Sequence, residues 1–582
     1  MRRAVVPLLL LAICGAVPRA QEALTKDQRE ADLTQLANTF AKNYAPYEWK
    51  RDVIGFDLYR LTPWLQRVHH ADDLDFQDAL IEYVASLNDA HSTVFFPSNF
   101  TASLGFTVDI YDGKVLIDSV NRLQLPAAQF PFDVGDQLMS LDGQPVQALI
   151  ASFRKYAIGA NPRTTDRLAA TIIGRRSQSF VPHAPEVGDA AAASIRLAST
   201  GAVNSYQVPW MKSGIGLASQ GPVPSPQRGN GRIFLPPGHE STADARVGGT
   251  GPLFADVPVA SNTLPAYLDS VRPLLNVSVT KSQYAVLGFG ARSPIFAPPP
   301  GFVQRLGTQS SHFFFSGTYT SGGVRIGFIR IPSMQPPNAA LALQQLDAEI
   351  AFFNANTDVL VVDVMRNPGG TVDVTEAFAQ RLFPNAFQSV GFEIRATAEW
   401  VTAIVNAVVA AQAGGAPPDV IENLRAIMNE MVTAYNEDRG RTKPVSLSTG
   451  SLTLPPAPTA YLKPMLLLVD ELTASGGDMF AAIVQDNHRG PLFGMRTMGA
   501  GGSVGQGSCT VFTESMCNTT LSLMNRGVVI WGTEYPPSPY IENVGVRPEI
   551  VNDFMTRANL MSAGATFVQA FTDAAVKLAQ TH

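Results

Sequence analysis

The run Leu466-Leu467-Leu468-Val469-Asp470-Glu471-Leu472-Thr473-Ala474-Ser475-Gly476-Gly477-Asp478 constrains this chain more than any other. Met465 to Val469 is apolar without a break, which in a strand means cover on both faces of its sheet. A short turn follows, and a helix is predicted over 477–486. A strand that feeds a helix this directly leaves Ser475 exposed at the sheet edge. The helix N-terminus there supplies unpaired N–H groups and the positive end of a dipole, and both favour an oxyanion during acyl transfer. On local physics alone, the same serine reads equally well as a helix cap.

The surrounding chain follows the same grammar. A strand is predicted over 324–331, a helix over 338–354, a buried strand over 359–364 and a helix over 372–382. Apolar strands alternating with helices imply an α/β layer covered on both sides. Residues 396–440 read as an inserted helical pair split at Gly414-Gly415 and Pro417-Pro418.

Upstream the periods differ. Residues 24–92 read as helices, with apolar residues three and four apart in 32–40 and 76–87 and with Thr25 and Asp75 as caps. From 100 to 212 the period becomes two: Phe106, Val108 and Ile110 alternate, Asp112-Gly113 turns, and Val115 to Ile117 returns. A closing hairpin is predicted at 195–197 and 206–208. The stretch 213–301 has the Gly, Pro and Ser content of a loop or linker.

At 582 residues the chain has room for roughly three to five domains. With 46% hydrophobic and 16% charged residues it is not disordered as a whole. A net charge of −6 and the lack of a basic stripe argue against nucleic acid as a partner. Arg2 and Arg3, the short apolar run Val5 to Ile13 and the small residues Ala16 and Ala20 form a signal peptide over 1–20. Export to the periplasm or the extracellular space follows, with no stable membrane insertion once the signal is removed. A lipid anchor on Cys14 is the competing reading. An oxidising compartment favours a disulfide between Cys509 and Cys517; a pair this small offers too few ligands for a metal.

Four stretches together resemble the tail-specific, or C-terminal-processing, serine protease family. They are the Ser475 segment with its continuation Ala481 to Gly490, Val362-Asp363-Val364-Met365-Arg366-Asn367-Pro368-Gly369-Gly370, Glu542 to Pro548, and the β-rich region, which resembles a PDZ domain. The resemblance spans most of residues 24–556. It implies a multidomain α/β chain: an N-terminal helical region (21–99), a PDZ-like β-rich domain (100–212), the insertion and linker (213–301), a catalytic core of ClpP/crotonase type (302–556) and a C-terminal helix (557–582). It implies Ser475 as nucleophile, with the N–H groups of Gly369 and Gly476 forming the oxyanion hole. Leu104, Gly105 and Phe106 would hold a peptide carboxylate on backbone amides, by addition of a strand.

A serine hydroxyl needs a base. One branch of the family uses a lysine after the nucleophile helix, and here that position holds Ala500. The other branch, tricorn-like, uses a histidine from the early helices, which matches His91 in Leu87-Asn88-Asp89-Ala90-His91-Ser92. With a pKa near 6.5, histidine suits a base near neutral pH. The rival His488 lies about 13 residues along the helix from Ser475, about 20 Å away. By resemblance Glu542 orients His91, directly, through Ser92 or through water. The implied activity is peptide-bond hydrolysis through an acyl-enzyme, on unfolded tails or short peptides, with no metal or organic cofactor. Two other readings of the same residues are a non-catalytic peptide-binding protein and a Ser–His esterase.

Overall fold

The structure, a computed structural model, describes residues 23–217, 272–275, 277, 286–513 and 515–581. The signal peptide with Cys14 and most of the 213–301 stretch lie outside the described residues.

The centre of the molecule is a seven-stranded sheet. Its order is 303–306, 315–321, 324–330, 359–363, 465–469, 492–494 and 550–551. The first three strands are antiparallel neighbours, and from Val324–Arg330 onward the pairing is parallel. The period of two divides each central strand between two cores. Leu360, Val362, Val364, Met465, Leu467 and Val469 face the helices Ala339–Asn356, Val372–Gln380 and Gly476–Asp486. Val359, Val361, Leu466 and Leu468 face the C-terminal helix Ala565–Thr581 through Phe567, Val568 and Phe571. The C-terminal helix is therefore a layer of the unit built on the central sheet. The inserted pair, Ala398–Ala413 and Pro418–Asn436, packs Trp400, Ile404, Leu424 and Met431 into the first of these cores.

The β-rich region forms its own six-stranded sheet, with the main order 106–111, 114–120, 137–141, 190–196 and 203–209. Asp112 and Gly113 both take positive φ, 49° and 72°, so the predicted Asp-Gly turn is of the hairpin kind. The helix Pro162–Gly174 lies across Phe106–Tyr111. Its Arg167 forks onto Asp109 at 3.0 and 2.6 Å, with both side chains fully buried. Arg163 of the same helix bonds Glu471 at 2.5 Å in the turn that leads to Ser475.

In the N-terminal region, helix Lys26–Asn43 starts at Thr25, which caps Gln28 N–H and receives the Gln28 side chain on its own N–H. The later helix begins at Asp73 and its cap is Asp72, whose carboxylate accepts from Asp75 N–H. Asp75 lies in the first turn, because Asp72 holds the extended backbone that a cap requires. Beyond this helix, Thr93–Phe95 pairs antiparallel with Met516–Thr520, which pairs in turn with Val504–Ser508. Asp32 accepts the N–H groups of Val511, Phe512 and Thr513 at 2.7 to 2.9 Å. The early helices are thereby stitched to a hairpin of the catalytic unit more than four hundred residues later.

Cys509 and Cys517 are free, buried thiols, not the expected disulfide. The ladder already closes this hairpin, and Asp32 together with the Thr510, Thr513 and Ser515 hydroxyls ties its tip. The thiols serve as small apolar groups among Leu33, Leu36 and Phe96.

Candidate active site

Ser475 stands at the junction of the Met465–Val469 strand and the Gly476–Asp486 helix with φ 58° and ψ −116°. A residue with a Cβ is strained there by ~1–3 kcal/mol, so its surroundings must impose the conformation. Asp478, in the first turn of the helix, accepts the Ser475 N–H at 2.7 Å. The same carboxylate accepts from Gly499 N at 2.9 Å and Ala500 N at 3.1 Å. Burial pushes the Asp478 carboxyl up to about 6, against the opposing pull of these hydrogen bonds. Just upstream, Ala474 N–H donates to Asn367 O at 2.8 Å and the Thr473 hydroxyl to Val364 O at 2.9 Å. The Ser475 turn is thus fixed between the Asn367–Gly370 turn and the turn around Ala500.

His91 reaches the site on the turn that ends the Asp73–Ala85 helix and leads into Thr93–Phe95. Its Nε2 lies 2.8 Å from Ser475 Oγ. Both side chains are buried. With the proton on Nδ1, Nε2 is free to accept from the serine hydroxyl. Asp89 shapes this turn by accepting the His91 N–H at 2.8 Å. Its other oxygen receives the Tyr44 and Thr520 hydroxyls, each at 2.8 Å. Burial holds the His91 imidazole below its ordinary range; the Asp89 charge opposes this and the Lys50 charge adds to it.

Glu542 does not hydrogen-bond His91, and Nδ1 has no partner among the described protein groups. The Glu542 carboxylate instead receives Lys50 Nζ at 2.5 Å on one oxygen and Gly501 N–H at 2.9 Å on the other. Nor does Ser92 relay between them, since its hydroxyl pairs with Thr520 at 3.3 Å. A buried ammonium is a stronger partner for a carboxylate than a neutral imidazole, and it draws Glu542 to itself. Burial and the nearby Asp89 push the Glu542 carboxyl up to about 7, and Lys50 opposes both.

The N–H groups free to receive an oxyanion also differ by one residue from expectation. The Gly369 N–H donates to Asn367 Oδ1 at 2.8 Å, so it is not free. The N–H groups of Gly370 and Gly476 have no acceptor among the described hydrogen bonds. They lie together: a Cβ built on Gly476 would stand 3.1 Å from Gly370 N. Gly369, at φ 87°, contributes its missing side chain, because a Cβ there would fall 2.5 Å from Gly476 N and 2.7 Å from Ser475 Cβ. Val277 lies against this centre. Its N–H donates to Gly370 O at 2.9 Å, and its carbonyl oxygen is 3.3 Å from His91 Nε2.

The predicted carboxylate nest is closed. Leu104 N–H donates to Gly174 O at 2.9 Å, and Gly105 N–H to Ser103 Oγ at 3.3 Å. Leu104 and Phe106 are buried. The strand Phe106–Tyr111 and the helix Pro162–Gly174 are tied together by the buried Asp109–Arg167 ion pair. His488 lies beyond the far end of the 11-residue nucleophile helix, away from Ser475. Among the described residues, no group of three His, Cys, Asp or Glu could hold a metal ion, and no helix is long and apolar enough to cross a membrane.

Sequence reasoning passed over Lys50, Asp478 and Gly370. Lys50 sits in Trp49-Lys50-Arg51, an ordinary surface pattern. Asp478 was visible as the acid three residues after the serine, the position from which a side chain can reach back to the cap N–H.

Comparison with known proteins gives the following. Residues 100–214 match the model of the PDZ domain, and residues 409–523 match Peptidase family S41. A protein of Chlamydia pneumoniae is 25% identical over 595 residues, which covers 96% of this chain and 92% of its own length. One from Chlamydia trachomatis serovar D is 25% identical over 585 residues, covering 93% and 92%. The crystal structure of mature CPAF superposes with a TM-score of 0.71 at 20% identity, covering 96% of this chain and 98% of that one. Mature CPAF complexed with lactacystin gives 0.70 at 19%, covering 96% and 99%. The overall fold is shared with these structures.

Proposed function

From the premise that this chain is a serine-type peptidase of the tail-specific, S41 kind with a PDZ domain, we propose that it cleaves peptide bonds through an acyl-enzyme on Ser475, with His91 as the base. The observation that carries this reading is the 2.8 Å approach of His91 Nε2 to the hydroxyl of a serine in a strained junction conformation.

The geometry supports the following steps. His91 Nε2 takes the hydroxyl proton as Ser475 Oγ attacks the scissile carbonyl carbon. The carbonyl oxygen becomes an oxyanion against the Gly370 and Gly476 N–H groups, and removing one such donor typically costs ~10²–10³ in kcat. The imidazolium then gives its proton to the leaving amine, leaving an ester on Ser475. Water, deprotonated by His91, hydrolyses that ester and restores the serine. Asp89, fixed by Tyr44 and Thr520, lies close enough to favour the imidazolium form.

An extended substrate suits the site. Gly370 O already receives one backbone N–H, that of Val277, beside Ser475, and a substrate backbone in that place would use the same acceptor. Unfolded tails and short peptides present such a backbone; a folded helix or sheet does not. The basic start and short apolar run of residues 1–20 support export.

The test is labelling with a fluorophosphonate, with the modified peptide mapped, alongside hydrolysis of matched peptide and ester substrates. Label on Ser475, lost in Ser475→Ala and suppressed in His91→Ala, is expected, with peptide hydrolysis lost in both. Peptide hydrolysis that survives Ser475→Ala overturns the reading. Turnover of esters without peptides transfers it to an esterase.

A further inference from the structure

Lys50 lies in a short helix of the N-terminal region, Tyr47–Val53, with no exposed surface. A buried ammonium needs a full set of acceptors, and Lys50 has three. Nζ donates to Glu542 Oε1 at 2.5 Å, to Asn543 Oδ1 at 2.6 Å and to Asn88 O at 3.0 Å. Two of these acceptors belong to the turn after the Ser538–Tyr540 strand, the third to the turn that delivers His91.

Both turns take backbone conformations that need external support. Asn88 has φ 49° and Asn543 φ 65°. Asn543 Nδ2 spans them as well, donating to Asn88 O at 2.8 Å and Ala160 O at 2.9 Å, while Trp49 Nε1 donates to Asn543 Oδ1 at 3.1 Å. These bonds bind the Asn88–His91 turn and the Glu542–Asn543 turn into one unit around a single cation. A surface helix seldom surrenders a lysine to the interior for fold alone, because a well-packed apolar side chain gives equal or greater stability there.

We propose that Lys50 is a positioning residue for the peptidase reaction: its ammonium holds Glu542 as a carboxylate and locks the turn that carries His91 to the turn that carries Glu542 and Asn543. This rests on the reading of Ser475 and His91 as nucleophile and base. Lys50 touches neither the reacting atoms nor the serine, and it acts through Glu542 and Asn88. The titratable groups packed around this cluster are Tyr44, Asp89, His91, Tyr535 and Glu542. The Lys50 charge lowers the pKa of both Glu542 and His91, so removing it raises both. Glu542 and His91 then both hold protons to higher pH, and the acid limb of activity moves in the alkaline direction.

The experiment compares the parent, Lys50→Met, Glu542→Gln and Lys50→Met/Glu542→Gln in kcat/KM against pH, with thermal melting and fluorophosphonate labelling of Ser475 as controls. Lys50→Met is expected to lower kcat by ~10–100-fold, the scale on which supporting residues act. Its acid limb should rise by about one pH unit or more, the size of effect an adjacent charge exerts. The double variant, which no longer buries a lone carboxylate, should melt near the parent and stay slow. Lys50→Arg, with a different donor geometry, should restore the position of the acid limb better than it restores kcat.

If Lys50 serves only to neutralise Glu542 in the fold, the double variant recovers rate together with stability, and the proposal is overturned. An acid limb unmoved in a folded Lys50→Met overturns it too. Should Lys50→Met fail to fold, the double variant alone decides by its rate. A parent chain that neither cleaves peptide nor labels at Ser475 instead removes the function reading on which the proposal rests.

Discussion

Gly369→Ala offers the sharpest test of the oxyanion geometry. The added Cβ would lie 2.5 Å from Gly476 N, 2.7 Å from Ser475 Cβ and 3.0 Å from Ala474 O. All three belong to the nucleophile turn, which Asp478, Asn367 and Val364 hold from both ends. None of them is the loose end of a long side chain, so either the Asn367–Gly370 turn retreats by roughly an ångström, a shift that can cost ~10² in rate, or the methyl caps the Gly476 N–H. Loss of that donor is worth ~10²–10³ in kcat, about 3–4 kcal/mol of barrier. The left-handed φ of 87° adds a stability cost of roughly 1–2 kcal/mol for a residue with a Cβ. Steady-state kinetics on a fluorogenic peptide should therefore show kcat reduced by two to three orders of magnitude with KM little changed. A thermal melt should show a cooperative fold of modestly lower stability. A folded Gly369→Ala enzyme turning over at the parental rate would refute the placement of the hole at Gly370 and Gly476.

Three further outcomes follow from the same structure. His91 must be neutral to act, and burial lowers its pKa below 6.5, so its own limb lies on the acid side of that value; Glu542, needed as a carboxylate, protonates as pH falls through about 7. The parent should thus lose kcat/KM near pH 7, and Glu542→Gln should be slower yet keep its activity to below 6.5; identical limbs would mean that the Glu542 charge plays no part. Ser475→Gly should match or exceed Ser475→Ala in urea stability, by ~1 kcal/mol, because glycine relaxes the strained φ and ψ; the reverse order would show that the junction holds no strain. Unreduced protein unfolded in iodoacetamide should carry carbamidomethyl groups on both Cys509 and Cys517, while the native protein resists, since both thiols are buried; unmodified cysteines that appear only after reductant would restore the disulfide.

The sequence determined the elements whose signals are local. The apolar strand Met465–Val469, the helix behind Ser475, the cap at Thr25 and the Asp112-Gly113 hairpin each follow from period and turn chemistry, and the structure contains all of them. Local signals marked Ser475 as a serine at a strand-to-helix junction, where it reads equally well as a helix cap, and family likeness was needed to read it as a nucleophile. Its partner was legible only through family likeness, since nothing near His91 in the chain marks it as a base.

Tertiary structure decided everything that depends on which donor wins a given acceptor. Glu542 pairs with Lys50, Gly369 gives its N–H to Asn367 while the Gly370 N–H has no acceptor among the described hydrogen bonds, and Leu104 gives its amide to Gly174. Each acceptor goes to the donor that the fold brings to it, and a sequence holds no distances with which to rank donors. Lys50 is the plainest instance: an unremarkable lysine between a tryptophan and an arginine becomes a buried cation only when a turn some 490 residues later closes over it. Desolvation sets the strength of such a contact, and desolvation exists only once the chain has folded.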